Sequence, residues 1–166
     1  MQIVRLTSAG SRTFFPLVPR SKNAAAAGVM HKGETMELNF QYAHHSHDEF
    51  ETQSNVSSGE ALIAFDKFDW EGEVEKANEL QKCSPTLSVL INGTEEMVWV
   101  SVCGGKSNIQ FVSECYFPGE VSKWFGLSKV QGTVNLSNQS LSKVQARMAI
   151  DLLVVKNYAG LRELYA

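Results

Sequence analysis

The sequence predicts an α+β fold: a single domain with a mainly antiparallel sheet of about five or six strands, a long C-terminal helix packed on one face, and a shorter acidic helix. Residues 86–91 and 97–103 are rich in Val, Ile and Trp, and a turn at Asn92-Gly93 between them predicts a β-hairpin. Apolar residues recur at helical spacing near the C-terminus. The 166 residues suit one hydrophobic core, because two cores would need about 200 or more.

The first element is a basic N-terminal segment, residues 1–33, which has five basic residues and no acidic one. We predict a strand over residues 2–7, and Pro16 and Pro19 restrict residues 14–20 to extended or edge structure. The segment is therefore interpreted as an edge strand plus a loop. Its composition is also typical of an organellar targeting segment, and that alternative stays open.

Apolar and polar residues alternate over residues 35–43, which predicts a half-buried strand. Residues 44–59 are polar and predict a loop, and the short apolar run at residues 61–65 predicts a buried strand. A helix is expected to begin after Asp69, a good N-cap residue, and to end before Ser84-Pro85.

After the hairpin, residues 109–117 alternate as a third strand, which Pro118-Gly119 is expected to end. Glu120–Phe125 is typical of a short helix, and Lys129–Leu136 of a last strand.

The C-terminal helix is predicted over residues 140–155, with Ser140 as its N-cap. Its apolar stripe is expected to contain Leu141, Val144, Met148, Leu152 and Val155. Asn157 or Gly160 should break or bend the helix, and a last turn with Leu161, Leu164 and Tyr165 should dock against the core.

The densest group of possible metal ligands lies in the His44–Glu51 region, where His44, His45 and His47 precede three acids. The spacing does not match the helical His-Glu-x-x-His motif, and a strand would leave His45 and His47 without a third ligand. The sequence contains neither a recognisable pair of nucleophile and base nor a complete set of three metal ligands. We therefore expect that the protein is not an enzyme and binds no cofactor or metal. A metal-binding protein or enzyme using this region remains the alternative.

Charge is the most distinctive property of the chain. Twelve of the 18 acidic residues lie between Glu34 and Glu79, against two basic residues, which gives this stretch a net charge of −10. Glu71 and Glu75, and Glu75 and Glu79, are like-charge pairs at i,i+4 on the predicted helix. Such a face is either exposed to solvent without a further role or binds a cationic partner.

For the second case the candidate partner-binding residues are acids, with Trp70 as an apolar anchor. They are Asp48, Glu49, Glu51, Asp66, Asp69, Trp70, Glu71, Glu75 and Glu79.

Part of the chain resembles the small immunity proteins of bacterial polymorphic-toxin systems, including contact-dependent growth inhibition. The resemblance covers residues 60–166 and lies in its small acidic α+β format. It also lies in the stretch from Phe65-Asp66-Lys67-Phe68-Asp69-Trp70 to Pro85-Thr86-Leu87-Ser88-Val89, and in the strand Met97–Val102.

The resemblance implies a cytoplasmic inhibitor that binds and neutralises one cognate protein toxin with a basic surface, such as a nuclease. The three cysteines, an odd number, fit a reducing cytosol better than a disulfide scaffold. The formal charge of −3 argues against nucleic-acid binding, and no apolar run approaches the roughly 18 residues of a membrane span. We therefore expect neither nucleic acid nor membrane as a partner.

Overall fold

The computed structural model describes residues 34–105, 108–123 and 128–166. Two strands come first, β1 (Met36–Gln41) and β2 (Glu51–Val56), followed by two helices, α1 (Ser58–Lys67) and α2 (Trp70–Leu80). Four strands follow: β3 (Thr86–Ile91), β4 (Met97–Gly105), β5 (Asn108–Lys123) and β6 (Ser128–Leu141). The described chain ends with α3 (Lys143–Val154) and α4 (Tyr158–Tyr165).

The six strands form one antiparallel sheet in the order β2-β1-β3-β4-β5-β6. This confirms the predicted α+β class, the hairpin of residues 86–91 and 97–103, and a third strand over residues 109–117 beside it. The β3–β4 hairpin turns at Gly93, whose φ of +79° lies in the left-handed region that glycine adopts without strain.

The core lies between one face of the sheet and the helices. Cross-strand pairs place Leu38 beside Val89, Val89 beside Val98, and Val98 beside Cys115 on that face, and all four side chains are buried. Helix α3 contacts β4, β5 and β6, while α2 contacts β4. Leu161 and Tyr165 of α4 are buried, which confirms that the last turn of the chain docks on the core.

The prediction of a polar loop over residues 44–59 is wrong for the second half of that range, which contains β2 and the start of α1. In β2 only Val56 is buried, because the strand lies at the edge of the sheet, so no apolar alternation marks it. The strand predicted over residues 61–65 is part of α1 instead. Ser57 and Glu60 form a capping box there, and a short apolar run alone does not distinguish a helix from a strand.

Pro118-Gly119 does not end β5, and Glu120–Lys123 is strand rather than helix. Met97, the first residue of β4, pairs with Tyr116, so β4 no longer runs beside Pro118 and a missing N–H is tolerated there. Residues 124 and 125 of the predicted helix lie outside the described residues, as do residues 1–33. The last strand is longer than Lys129–Leu136 and extends to Leu141.

The C-terminal helix is also shifted and shorter than predicted. Ser142, not Ser140, is its N-cap, and α3 has 12 residues against 11 in the acidic helix α2. The predicted stripe is wrong at three of its five positions, because Val144, Met148 and Val155 are 74%, 40% and 49% exposed. Leu141 is buried and Leu152 packs against the core, as predicted. The residues of α3 that face the core are Ala146, Ala149, Ile150, Leu153 and Val154.

Candidate functional site

The loop between β1 and β2, residues 42–50, contains the histidine-rich stretch, and side chains hold its backbone in place. The Tyr42 N–H donates to Nδ1 of His45 over 3.2 Å, and His45 is buried. The Gln41 amide donates to the carbonyls of Ser46 and His47. The Ser46 N–H donates to the Glu49 carboxylate, and this bond lowers the pKa of Glu49. The Glu49 carboxylate is therefore engaged within the loop and is not free to bind a partner.

Helix α2 fixes the same loop from the other side. The buried Glu73 carboxylate accepts the Ala43 N–H over 2.9 Å and pairs with Lys76 at 2.6 Å. The Lys82 ammonium donates to the His44 carbonyl. Glu73 of α2 and Lys82, which follows the helix, therefore satisfy polar backbone groups of the loop, and the buried Ala43 N–H requires such a partner.

A group of nearly parallel rings, the ring stack, lies where the loop meets the helices. It consists of Phe40, Tyr42, His44 and Phe68. Phe68 lies 6.2 Å from Phe40 and 5.4 Å from Tyr42, measured between ring centroids, and Tyr42 lies 5.9 Å from His44. Phe68 is buried, Phe40 and Tyr42 are half-buried, and His44 is exposed. The stack thus runs from the core to the surface.

Two carboxylates, those of Glu51 and Glu73, lie close to the ring stack. Glu51 pairs with Phe40 across β1 and β2. Burial raises the pKa of Tyr42, and the negative charges of Glu51 and Glu73 raise it further. Aromatic faces beside carboxylates attract cations, and an arginine side chain can stack on a ring while its guanidinium pairs with a carboxylate.

Most of the predicted partner-binding acids are already engaged within the molecule. Asp66 pairs with Arg147 of α3, and Glu71 lies 3.6 Å from Lys143. Asp69 caps α2 by accepting the Gly72 N–H. The like charges on α2 are therefore partly compensated by α3, which a comparison of residues within α2 alone does not reveal.

Trp70 does not act as a surface anchor. Its side chain is fully buried, its indole N–H donates to the Phe65 carbonyl, and its ring lies 4.3 Å from that of Phe68. The expectation that Trp70 contacts a partner is therefore corrected: it is a core residue that supports the ring stack from beneath.

Three of the predicted acids, Asp48, Glu51 and Glu79, make no side-chain ion pair or hydrogen bond with another residue in the part of the chain that the structure describes. Glu51 follows Phe50 directly and Asp48 precedes it by two residues, and the apolar Phe50 side chain is 45% exposed. We call Asp48, Phe50 and Glu51 the acidic rim. The rim and the ring stack together form the candidate site.

The alternative function, an enzyme or metal-binding protein that uses the His44–Glu51 region, would depend on a contact between a cysteine and a histidine. The described residues show one such contact. Cys83 Sγ lies 3.6 Å from Nδ1 of His47. Burial raises the pKa of Cys83, and Asp48 and Glu49 raise it further, although Lys82 opposes them. A nucleophilic cysteine needs the thiolate, which these surroundings disfavour. Within residues 34–105, 108–123 and 128–166, no three His, Cys, Asp or Glu side chains are arranged to hold a metal.

Sequence reasoning missed the aromatic part of the site. The alternation of β1 placed Phe40 and Tyr42 on one face, but nothing in the sequence indicated that Phe68, at the junction of α1 and α2, packs against both rings.

No helix in the described part of the chain has both the length and the apolarity that crossing a membrane requires. Comparison with protein-family models, with curated proteins and with solved structures found no match.

Proposed function

We propose that the protein is a non-enzymatic binding protein of the immunity type, which binds a cognate protein toxin in the bacterial cytoplasm and neutralises it. The observation that carries the proposal is the ring stack beside the acidic rim. This surface offers aromatic rings and carboxylates that have no partner among the described residues, and a basic side chain of a toxin would interact with both.

The concentration of acids around the site supports the same partner. The segment from Glu34 to Glu79 carries a net charge of −10, and Asp48 and Glu51 remain unpaired among the described residues. A clustered negative potential accelerates association with a basic surface. A toxin that acts on nucleic acid has such a surface, and an acidic inhibitor can occupy the place of the phosphates.

The test begins with purification of the chain from its native cells after cross-linking, and mass spectrometry of the bound protein. That protein is then expressed alone and together with the chain, and growth is measured. We expect the partner to stop growth alone and the chain to restore it. A partner that is harmless alone would refute neutralisation.

Two matched pairs of variants then test the site. Tyr42→Ala should lose protection because it removes a ring from the stack, whereas Tyr42→Phe keeps the ring and should protect. Glu51→Lys should weaken protection, whereas Glu163→Lys makes the same change in net charge on α4, which packs at the opposite edge of the sheet. Equal protection by all four variants would place the binding surface elsewhere.

A further inference from the structure

The two edges of the sheet differ in how well they are protected against pairing with another strand. Among the described strands, β2 lies at one edge and β6 at the other. An edge strand presents unpaired N–H and C=O groups, and natural proteins usually shorten, charge, kink or cover it.

The β2 edge has several of these protections. It has only six residues, begins with Glu51, and its pairing with β1 shifts register between Met36 and Leu38. Asn55 adopts a φ of +59°, which interrupts the regular strand near its end. The free part of β5, beyond the end of β4, begins with Phe117 and Pro118, and Pro118 cannot donate to a neighbouring strand.

The β6 edge has none of these features over most of its length. It has 14 residues, contains no proline, and carries its one charge at Lys129. Its pairing with β5 is regular from Ser128 to Asn138, and the register shifts only beyond that point. Residues 130–138 therefore form an uncharged, regular edge whose outward backbone groups can accept another strand.

We propose that β6 pairs antiparallel with β6 of a second copy of this chain, which joins the two sheets into one continuous sheet. The sequence of β6 favours a copy of itself as the occupant. With the two-fold axis at Asn135, Val134 faces Leu136 of the copy on the core side of the sheet. On the other side Thr133 faces Ser137, and Asn135 faces Asn135.

These cross-strand pairs are complementary in both polarity and charge. Val and Leu are the apolar pair, and no like charges oppose each other between residues 132 and 138. The Thr133 hydroxyl donates to the Glu95 carboxylate, so in the Thr–Ser pair it is the Ser137 hydroxyl that can donate to Thr133. Val134 is buried and Leu136 half-buried, so their contact extends the existing core face rather than creating a separate patch. This inference does not depend on the proposed function, because β6 lies at the edge opposite to the acidic rim.

The test measures the mass of the full chain in solution by light scattering over a range of concentrations. We expect a dimer that dissociates on dilution. Asn135→Lys and Asn135→Asp each place like charges opposite each other at the axis, so each should give a monomer. An equimolar mixture of the two should restore a dimer containing one copy of each, because opposite charges then face each other.

Two controls separate the interface from effects on the fold. Tyr116 is the cross-strand partner of Asn135 on β5, and its hydroxyl donates to the Glu114 carboxylate, so Tyr116→Phe alters the surroundings of Asn135 without adding charge and should leave the dimer intact. Ser54→Lys places a charge on the β2 edge and should also leave it intact. Thermal melts show whether each variant folds. If one of the two charge variants does not fold, the other one still tests whether like charges at position 135 give a monomer.

A covalent test provides the second measurement. Paired strands hold opposite Cα atoms about 4.5–5.5 Å apart, within the range of a disulfide. In a Cys103→Ser background, Asn135→Cys should form a disulfide-linked dimer on oxidation, whereas Ser54→Cys should not. A wild-type chain that is monomeric at every concentration, or a dimer that survives both charge variants, would overturn the proposal.

Discussion

Arg147 of α3 and Asp66 of α1 form a two-point ion pair, in which Nε lies 2.8 Å from Oδ1 and Nη2 lies 3.0 Å from Oδ2. The pair joins two helices that are 81 positions apart in sequence. Asp66, which the sequence placed among the partner-binding acids, is thus held within the molecule. Its role is to orient α1 against α3.

A double-mutant cycle tests this role. Asp66→Ala and Arg147→Ala should show a coupling in the free energy of unfolding of about 0.2–1 kcal/mol. The coupling is small because the side chains of Asp66 and Arg147 are 48% and 41% exposed, so solvent screens the pair. Chemical denaturation of the wild type, both single variants and the double variant measures it. Strict additivity would show that the pair contributes nothing to the packing of the two helices.

The buried Glu96 predicts a specific pH dependence. Its Oε1 accepts from the Tyr158 hydroxyl at 3.0 Å and lies 3.9 Å from Lys156, but its buried Oε2 has no partner in the described structure. Burial raises the pKa of Glu96. The folded protein therefore binds this proton more tightly than the unfolded chain does, so the charged carboxylate lowers stability above the raised pKa and ceases to do so as pH falls through it.

Glu96→Gln removes that charge and retains an acceptor for Tyr158. We expect it to raise the melting temperature at neutral pH, with a gain that shrinks as pH falls through the raised pKa of Glu96. Melting curves across the acid range measure the gain. Glu95→Gln, a change at an exposed neighbour, is the control and should show no such trend. A gain that grows on acidification would contradict the argument.

The start of α3 provides a test of the corrected N-cap. The Ser142 hydroxyl accepts the Gln145 N–H, and the Gln145 side chain accepts the Ser142 N–H. Ser142→Ala should lower the free energy of unfolding by about 1 kcal/mol, a typical value for losing an N-cap. Ser140→Ala should change it by less than about 0.5 kcal/mol, as for most surface substitutions. Urea denaturation distinguishes the two, and a larger loss at Ser140 would restore the boundary predicted from sequence.

The corrected face of α3 is tested by truncating one residue on each side of the helix. Ile150 is fully buried, so Ile150→Ala should cost about 2–5 kcal/mol through lost burial and the cavity left behind. Val144 is 74% exposed, and Val144→Ala should stay within about 0.5 kcal/mol. Equal losses in denaturation experiments would mean that the stripe predicted from sequence is buried.

The sequence predicted elements well where a local signal and the tertiary role agree. The Asn92-Gly93 turn and the Asp69 N-cap are such cases, since each depends on residues next to it in the chain. Prediction failed where tertiary position decides. The edge strand β2 has no apolar alternation, and Pro118 lies in a strand only because β4 has already ended.

The same distinction holds for the candidate site. The concentration of acids and the histidine-rich loop are visible in the sequence. Which acids are free is not, because Asp66 and Glu71 find their partners on α3, far along the chain. Nor does composition reveal that Trp70 is buried while Tyr42 and His44 reach the surface.

The central claim, that the acidic rim and ring stack bind a basic partner, is tested most directly by the rate of association with the captured toxin at two salt concentrations. We expect Glu51→Lys to slow association about tenfold at low salt and to flatten the dependence on salt, because steering by charge is screened within about 10 Å at 0.1 M. Glu163→Lys, with the same change in net charge, should associate nearly as fast as the wild type. Equal rates for Glu51→Lys and the wild type, with unchanged melting, would contradict the claim.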